Sequence, residues 1–340
     1  MMHKDKDWIK TTIAHSQPAA VPYNFSFCPP ALAALQKHYQ TQDVSSAIGK
    51  PIRTKMCNSI KPFYASPAEC GRTIADEFGV LWTTSDIDRG SPTGHPLAAA
   101  DLAGYEFPDP AEPHRFEGIE QWCRSNSNHF TIVWVGELWE RATFMRSMEN
   151  ILLDVALNPA FVQKLLRGIA DYILRTMEIL FERFEFDAIA LSDDYGTQKS
   201  MFMSPASWRE LVRPPLAEIY ALARKHGRYT FHHSCGNIVP VIPDLIDIGL
   251  DILHPIQPEA MDIHQLKRQF GKDITFCGGL RTHDLLPKGG EQEIRDEVRM
   301  LKETMGKGGG YILEPGITVQ ADVPLKNILA MIEEAKRGAF

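Results

Sequence analysis

"RYTFHHSCGNIVPVIPDLIDIGLDILHPIQ", residues 228–257, decides the fold of this chain. A β-rich run, RYTFHHSCG, gives way to a helical stretch, IVPVIPDLIDIG, that stops at Gly249. A second β-rich run, LDILHPIQ (250–257), follows at once. Strand, helix and strand in direct succession make a parallel βαβ unit, because parallel neighbours need a crossover connection.

The same unit repeats on both sides. Upstream, FTIVWVGE (130–137) precedes a long helical stretch in which Asn158 and Pro159 mark a restart, as N-cap and first helical residue. DAIALSDD (187–194) precedes a helical run opened by Ser204-Pro205 and closed at Gly227. Downstream, DITFCGGL (273–280) and GGYILEPG (309–316) are each followed by an amphipathic helical pattern. Six such units follow one another, and PYNFSF (22–27) and GVLWTT (79–84) supply two further strands. Eight units around one core predict an α/β fold, a (β/α)8 TIM barrel forming a single domain over residues 1–340. An open doubly wound sheet is the alternative. Residues 85–115, rich in Pro, Gly and Asp, read as one long loop.

Composition excludes several function classes. The net charge of −7 gives no basic footprint for nucleic acid. No apolar run reaches the roughly 18–20 residues of a membrane helix, and MMHKDKDWIKTT at the N-terminus is charged where a secretory signal is apolar. The cysteines, at 28, 57, 70, 123, 235 and 277, form no disulfide-like framework, which favours a cytoplasmic setting.

Barrels carry their active sites at the C-terminal ends of the strands. The polar residues expected there are Asp193, Asp194, His233, Cys235, His254, Gln257, Cys277 and Glu314. In an extended segment, residues two apart point to the same side, so the His233 imidazole and the Cys235 thiolate can reach one ion. Zinc takes such nitrogen and sulfur donors, and a catalytic zinc keeps one position open. A third donor must come from another strand, and Cys277 and Glu314 compete for that place. His232 should face the outer helices. Asp193 and Asp194 either serve as acid–base groups or cap the following loop. Asp76-Glu77 reads as a helix end, and Trp134 and Trp139 as core or wall.

LSDDYGTQKSMFMSPASWRELVRPPLAEIYALARKHG, HHSCGNIVPVIPDLIDIGLDILHPIQPEAMD and GGYILEP…DVPLKNILAMIE resemble the uroporphyrinogen decarboxylase superfamily. DEFGVLW, YEFPDP and GELWERATFMRSMENILLDVALNP extend the resemblance upstream, to roughly residues 60–335. It implies a single (β/α)8 barrel. The decarboxylases proper carry an arginine-rich M-R-Q-A-G-R-Y segment for a substrate with many carboxylates, where this chain has PIRTKMCNSIKPFYASP. Its corrinoid-dependent methyltransferase branch, similar to the methylcobamide:coenzyme M enzymes, carries a zinc-binding H-x-C-G motif that HSCGN matches at His233 and Cys235. Those enzymes place a further cysteine in a P-G-C context, where this chain has Ile317 in EPGITV.

The resemblance implies a zinc-dependent methyltransferase moving a methyl group between a small O- or S-methyl compound, or a thiol acceptor, and cobalt. No complete D-x-H-x-x-G corrinoid motif occurs, since DIHQLK (262–267) lacks the glycine, so the corrinoid (cobalamin) is expected on a partner protein. A uroporphyrinogen decarboxylase-like enzyme acting on a tetrapyrrole is the alternative, and a non-catalytic small-ligand binder is a third. The sequence leaves the methyl donor, the direction of transfer and the oligomeric state open, a homodimer included.

Overall fold

The computed structural model describes residues 5–59, 71–85 and 90–338. Ten strands are assigned among them: β1 (Ile52–Met56), β2 (Thr73–Ala75), β3 (Leu81–Thr83), β4 (Ser91–Gly94), β5 (Phe130–Gly136), β6 (Ala188–Ser192), β7 (Tyr229–His233), β8 (Ile252–Ile256), β9 (Thr275–Leu280) and β10 (Tyr311–Pro315). Seven of them form one parallel sheet in the order β1-β5-β6-β7-β8-β9-β10, with helices in the connections from β5 onward. Residues 22–27 add an eighth stave. The Asn24 N–H donates to the Leu313 carbonyl at 3.0 Å, and the Leu313 N–H donates to that of Pro22 at 2.8 Å. This is the (β/α)8 arrangement expected from the repeated units.

One assignment differs. GVLWTT is no barrel strand: β3 lies at the centre of a small antiparallel sheet, β2-β3-β4. Ala75 pairs with Leu81, a separation too short for a parallel crossover but sufficient for a hairpin. The barrel position goes to β1, which pairs in parallel with β5 from Ile52 opposite Phe130 to Met56 opposite Trp134. Part of the 85–115 loop is also ordered, as β4 and as a 3-10 turn at Pro113–Phe116. Residues 86–89 of that segment, like Cys70, lie outside the described residues.

From β5 onward the parallel strands are mostly buried on both faces, whereas β1 buries only Ile52, and the buried side chains divide two ways. Inside the barrel pack Ile52, Ile132, Ala190, Phe231, Ile252 and Ile312, with Cys277 among them. The larger cluster fills the space between sheet and helices. The helix Asp5–Ile13 contributes Ile9 and Ile13 to the inner cluster and so plugs the barrel at the N-terminal end of its strands. Lys6 and Lys10 fix it there through Asp187, at 3.2 and 3.1 Å. The opposite end is left for the polar residues. No helix among the described residues is long and apolar enough to cross a membrane.

The expected helix boundaries recur. One helix ends at Leu157 and the next begins at Pro159, while Ser204 caps Pro205–Leu211 by accepting from the Ser207 N–H. That cap is expected for Ser before Pro, whose fixed φ suits a first helical turn.

Candidate metal centre

Strand alternation sorts the two adjacent histidines. His232 turns outward and is fully buried, with Nδ1 2.7 Å from the hydroxyl of Tyr220 on the helix Arg213–Lys225. Burial, then the charge of His233, lowers its pKa to about 3. His233 turns inward, level with Ser192 of β6 and His254 of β8.

Two groups of metal-ligating side chains meet at this rim. Asp194, His233 and Cys235 form the first, and His254, Cys277 and Glu314 the second, each with donor atoms within 4.8 Å of one another. In the first, His233 Nε2 lies 3.5 Å from Cys235 Sγ and 3.6 Å from Asp194 Oδ1. Zn–S and Zn–N bonds of about 2.3 and 2.1 Å at a tetrahedral angle separate the two donors by about 3.6 Å. The His233–Cys235 separation is therefore that of two zinc ligands, and Asp194 lies within reach of the same ion. Burial, then the carboxylates of Asp194 and Glu140, push the Cys235 thiol above its ordinary range. A divalent cation among the same groups reverses that sign and favours the thiolate.

The loop after β7 is held tightly. The Cys235 N–H donates to Asp194 Oδ1 at 2.7 Å, and the Gly236 N–H to Gln257 Oε1 at 2.6 Å. Gly236 has φ +83°, and a Cβ there would meet the Gly196 backbone at 2.3 Å, so only glycine lets this loop lie against its neighbour. A cavity lined by Thr197, Cys235, Gln257, Glu259 and His283 opens against this loop.

The second group is deeper. Glu314 is 3% exposed and accepts from Asn24 Nδ2 at 2.7 Å, Cys277 Sγ at 3.1 Å and Ser26 Oγ at 3.4 Å. Burial raises its pKa to about 7, although the Lys50 ammonium opposes the shift. Burial also holds the His254 imidazole well below its usual pKa and the Cys277 thiol well above. The two groups meet where His233 Nδ1 lies 2.9 Å from His254 Nδ1.

The two candidates for a third donor to His233 and Cys235 thus lie together in the second triad, and Asp194 stands in the first. Asp193 faces elsewhere. It is fully buried and accepts the Leu138 and Glu140 N–H groups at 2.8 and 2.9 Å, closing the start of the helix Trp139–Arg146. Asp76 is no helix end either. It follows β2 and accepts from the Phe78 and Val80 N–H groups, from Trp82 Nε1 and from Arg141. Trp139 is fully buried in the core, and Trp134 packs edge-on against Phe231. His254, like Gln257, stands in the sequence as a strand-end polar residue without a role. The usable signal was its strand-end position, one strand along from His233.

A family model described as uroporphyrinogen decarboxylase (URO-D) matches residues 70–338. Two curated methylcobamide:CoM methyltransferases MtaA, from Methanosarcina barkeri and Methanosarcina barkeri (strain Fusaro / DSM 804), are 25% and 23% identical to the chain over 146 residues. Those matches cover 43% of this chain and 40% of each relative's length. Among solved structures, a methyltransferase from Methanosarcina mazei has the same fold, with a TM-score of 0.71 over 98% of both chains at 17% identity. With the family model matching most of its length, the chain belongs to the uroporphyrinogen decarboxylase (URO-D) family.

Proposed function

We propose that this chain is a zinc-dependent methyltransferase. It moves a methyl group between a small O- or S-methyl compound, or a thiol acceptor, and the cobalt of a corrinoid (cobalamin) carried by a separate protein. The observation that carries this reading is the His233–Cys235–Asp194 triad, a nitrogen, a sulfur and an oxygen spaced as zinc ligands at the barrel mouth. The similarity to methylcobamide:CoM methyltransferases supports it.

Bound there, zinc supplies Lewis acidity that lowers the pKa of a thiol or hydroxyl held beside it. The chain's own residues do the rest. His233 and Cys235 present their donors from one strand end, and Asp194 supplies the third from the neighbouring one. The Gly236–Gln257 hydrogen bond fixes the loop that carries Cys235, against which a cavity opens where a small methyl donor or acceptor can lie. Having one thiolate and one carboxylate instead of two thiolates makes the donor set harder, which suits an oxygen substrate better than a second cysteine would.

The decarboxylase alternative needs cationic groups for a polycarboxylate. Arg115 and Arg141 line a cavity at this end of the barrel, but they are paired with Glu77 at 2.6 Å and with Asp76 and Glu137 at 2.7 and 2.9 Å.

Elemental analysis of the purified protein, with His233→Ala and Cys235→Ser, tests the reading. One zinc per chain is expected in the parent and none in either variant, with circular dichroism unchanged. Mixing the parent with cob(I)alamin and candidate methyl ethers or thioethers should then yield the methylcobalamin spectrum. Full metal retention in both variants overturns the ligand assignment, and metal-independent carbon dioxide release from a porphyrinogen overturns the reaction.

A further inference from the structure

The two triads invite a count of two ions, but the proton between their histidines leaves only one of the two rings free to be a ligand. A 2.9 Å contact between His233 Nδ1 and His254 Nδ1 is a hydrogen bond only if one nitrogen carries a proton and the other does not. A neutral imidazole has one N–H, and a nitrogen that binds metal must be bare. If His233 binds metal through Nε2, its proton sits on Nδ1 and is donated to His254. His254 Nδ1 is then the acceptor, so its own proton sits on Nε2, which lies 3.5 Å from Glu314 Oε2. A ring with its proton on Nε2 cannot use that atom as a ligand. The opposite arrangement, with metal on His254, bars His233 by the same reasoning.

We infer that Glu314 and His254 form a positioning relay that fixes the His233 tautomer, and that the two triads together hold one metal ion per chain. This rests on the zinc reading above and deepens it. The surroundings of Glu314 match the assignment. Asn24, Ser26 and Cys277 all donate to its carboxylate, so it is held by the chain on several sides without a metal, with Oε2 3.5 Å from His254 Nε2. Cys277 then serves as a thiol donor to Glu314 and not as a ligand. Partners of this kind, one step removed from the metal, fix ring orientation and typically change metal affinity about 10–100-fold.

The test is a zinc titration of the metal-free full chain against a competing chromophoric chelator, so that only tight sites are counted. One tight site is expected in the parent and in Cys277→Ser, and none in His233→Ala. His254→Phe removes the acceptor and should weaken zinc binding about 10–100-fold. His254→Asn, which keeps an acceptor oxygen facing His233 Nδ1, should restore most of that loss. In the zinc-loaded parent, 15N spectra should assign the protons to His233 Nδ1 and His254 Nε2, a readout that needs no variant. Two tight ions in the parent, loss of zinc in Cys277→Ser, or undiminished affinity in His254→Phe overturns the relay while the zinc reading stands. A full tight site in His233→Ala overturns the zinc reading itself.

Discussion

Two neighbouring aspartates show what one residue of displacement does. Asp193 and Asp194 are chemically identical, and the sequence offered both the same pair of roles. In the fold, Asp194 turns to the rim beside His233, while Asp193 enters the core to hold the N–H groups of Leu138 and Glu140. The distinction was illegible because Asp193's partners lie 55 and 53 residues away in the chain. The His233–Cys235 pairing was legible, since it depends only on strand alternation within three residues. Burial outweighs the backbone N–H groups and raises the Asp193 pKa to about 8. The native state therefore keeps a proton that the unfolded chain, with an ordinary aspartate pKa of about 3.9, has released. This group's contribution to stability is full below the unfolded pKa and is lost as pH rises toward 8. Asparagine mimics the protonated acid: Oδ1 can accept the same two N–H groups, and Nδ2 can face the Tyr195 hydroxyl that lies 3.3 Å from Asp193 Oδ2. In urea melts, the stability of Asp193→Asn relative to the parent should be higher at pH 8.5 than at pH 5. An equal offset at both pH values would refute the assigned protonation.

At the scale of elements, the later half of the barrel could be read directly because β6 to β10 are apolar runs separated by periodic helices. The first half could not. β1, IRTKM, carries Arg53, Thr54 and Lys55 and lacks the apolar run of a strand buried on both faces, yet it holds a place in the sheet beside β5. GVLWTT has the better strand composition and goes to a hairpin, since composition says nothing of the partner. The plug was missed for a related reason: DKDWIKTTI reads as a charged terminal segment, and its two buried isoleucines are spaced one helical turn apart. Ile9 is fully buried within the barrel floor. Ile9→Ala should cost about 2–5 kcal/mol of unfolding free energy in urea melts, the usual range for a large-to-small change in a core. Lys10→Ala, with a side chain 41% exposed, should cost under about 1 kcal/mol. Zinc content should not change in either variant, because the plug and the rim lie at opposite ends of the strands. An Ile9→Ala loss no greater than that of Lys10→Ala would show that the helix contributes little to the barrel.

For the whole molecule, the barrel's consequence is that donors from separate strand ends exist as a site only in the folded chain. Asp194 follows β6, and His233 and Cys235 lie at the end of β7, so unfolding separates the triad by some forty residues of chain. An ion bound this way stabilises the native state by mass action, about 2.7 kcal/mol at a free concentration one hundred times Kd. An unfolding entropy of about 2.1 cal/mol/K per residue, scaled to a chain of this length, converts that into a rise in Tm of about 4 °C. The parent should show this rise between chelator-treated and zinc-loaded samples, and it should grow with the logarithm of free zinc. His233→Ala and Cys235→Ser should melt at one temperature with or without the ion. Asp194→Asn keeps an oxygen but gives up the charge, so its rise should be smaller and need more zinc. A zinc-dependent rise that survives unchanged in His233→Ala would mean that the stabilising ion binds elsewhere, and the rim triad would lose its claim to be the metal centre.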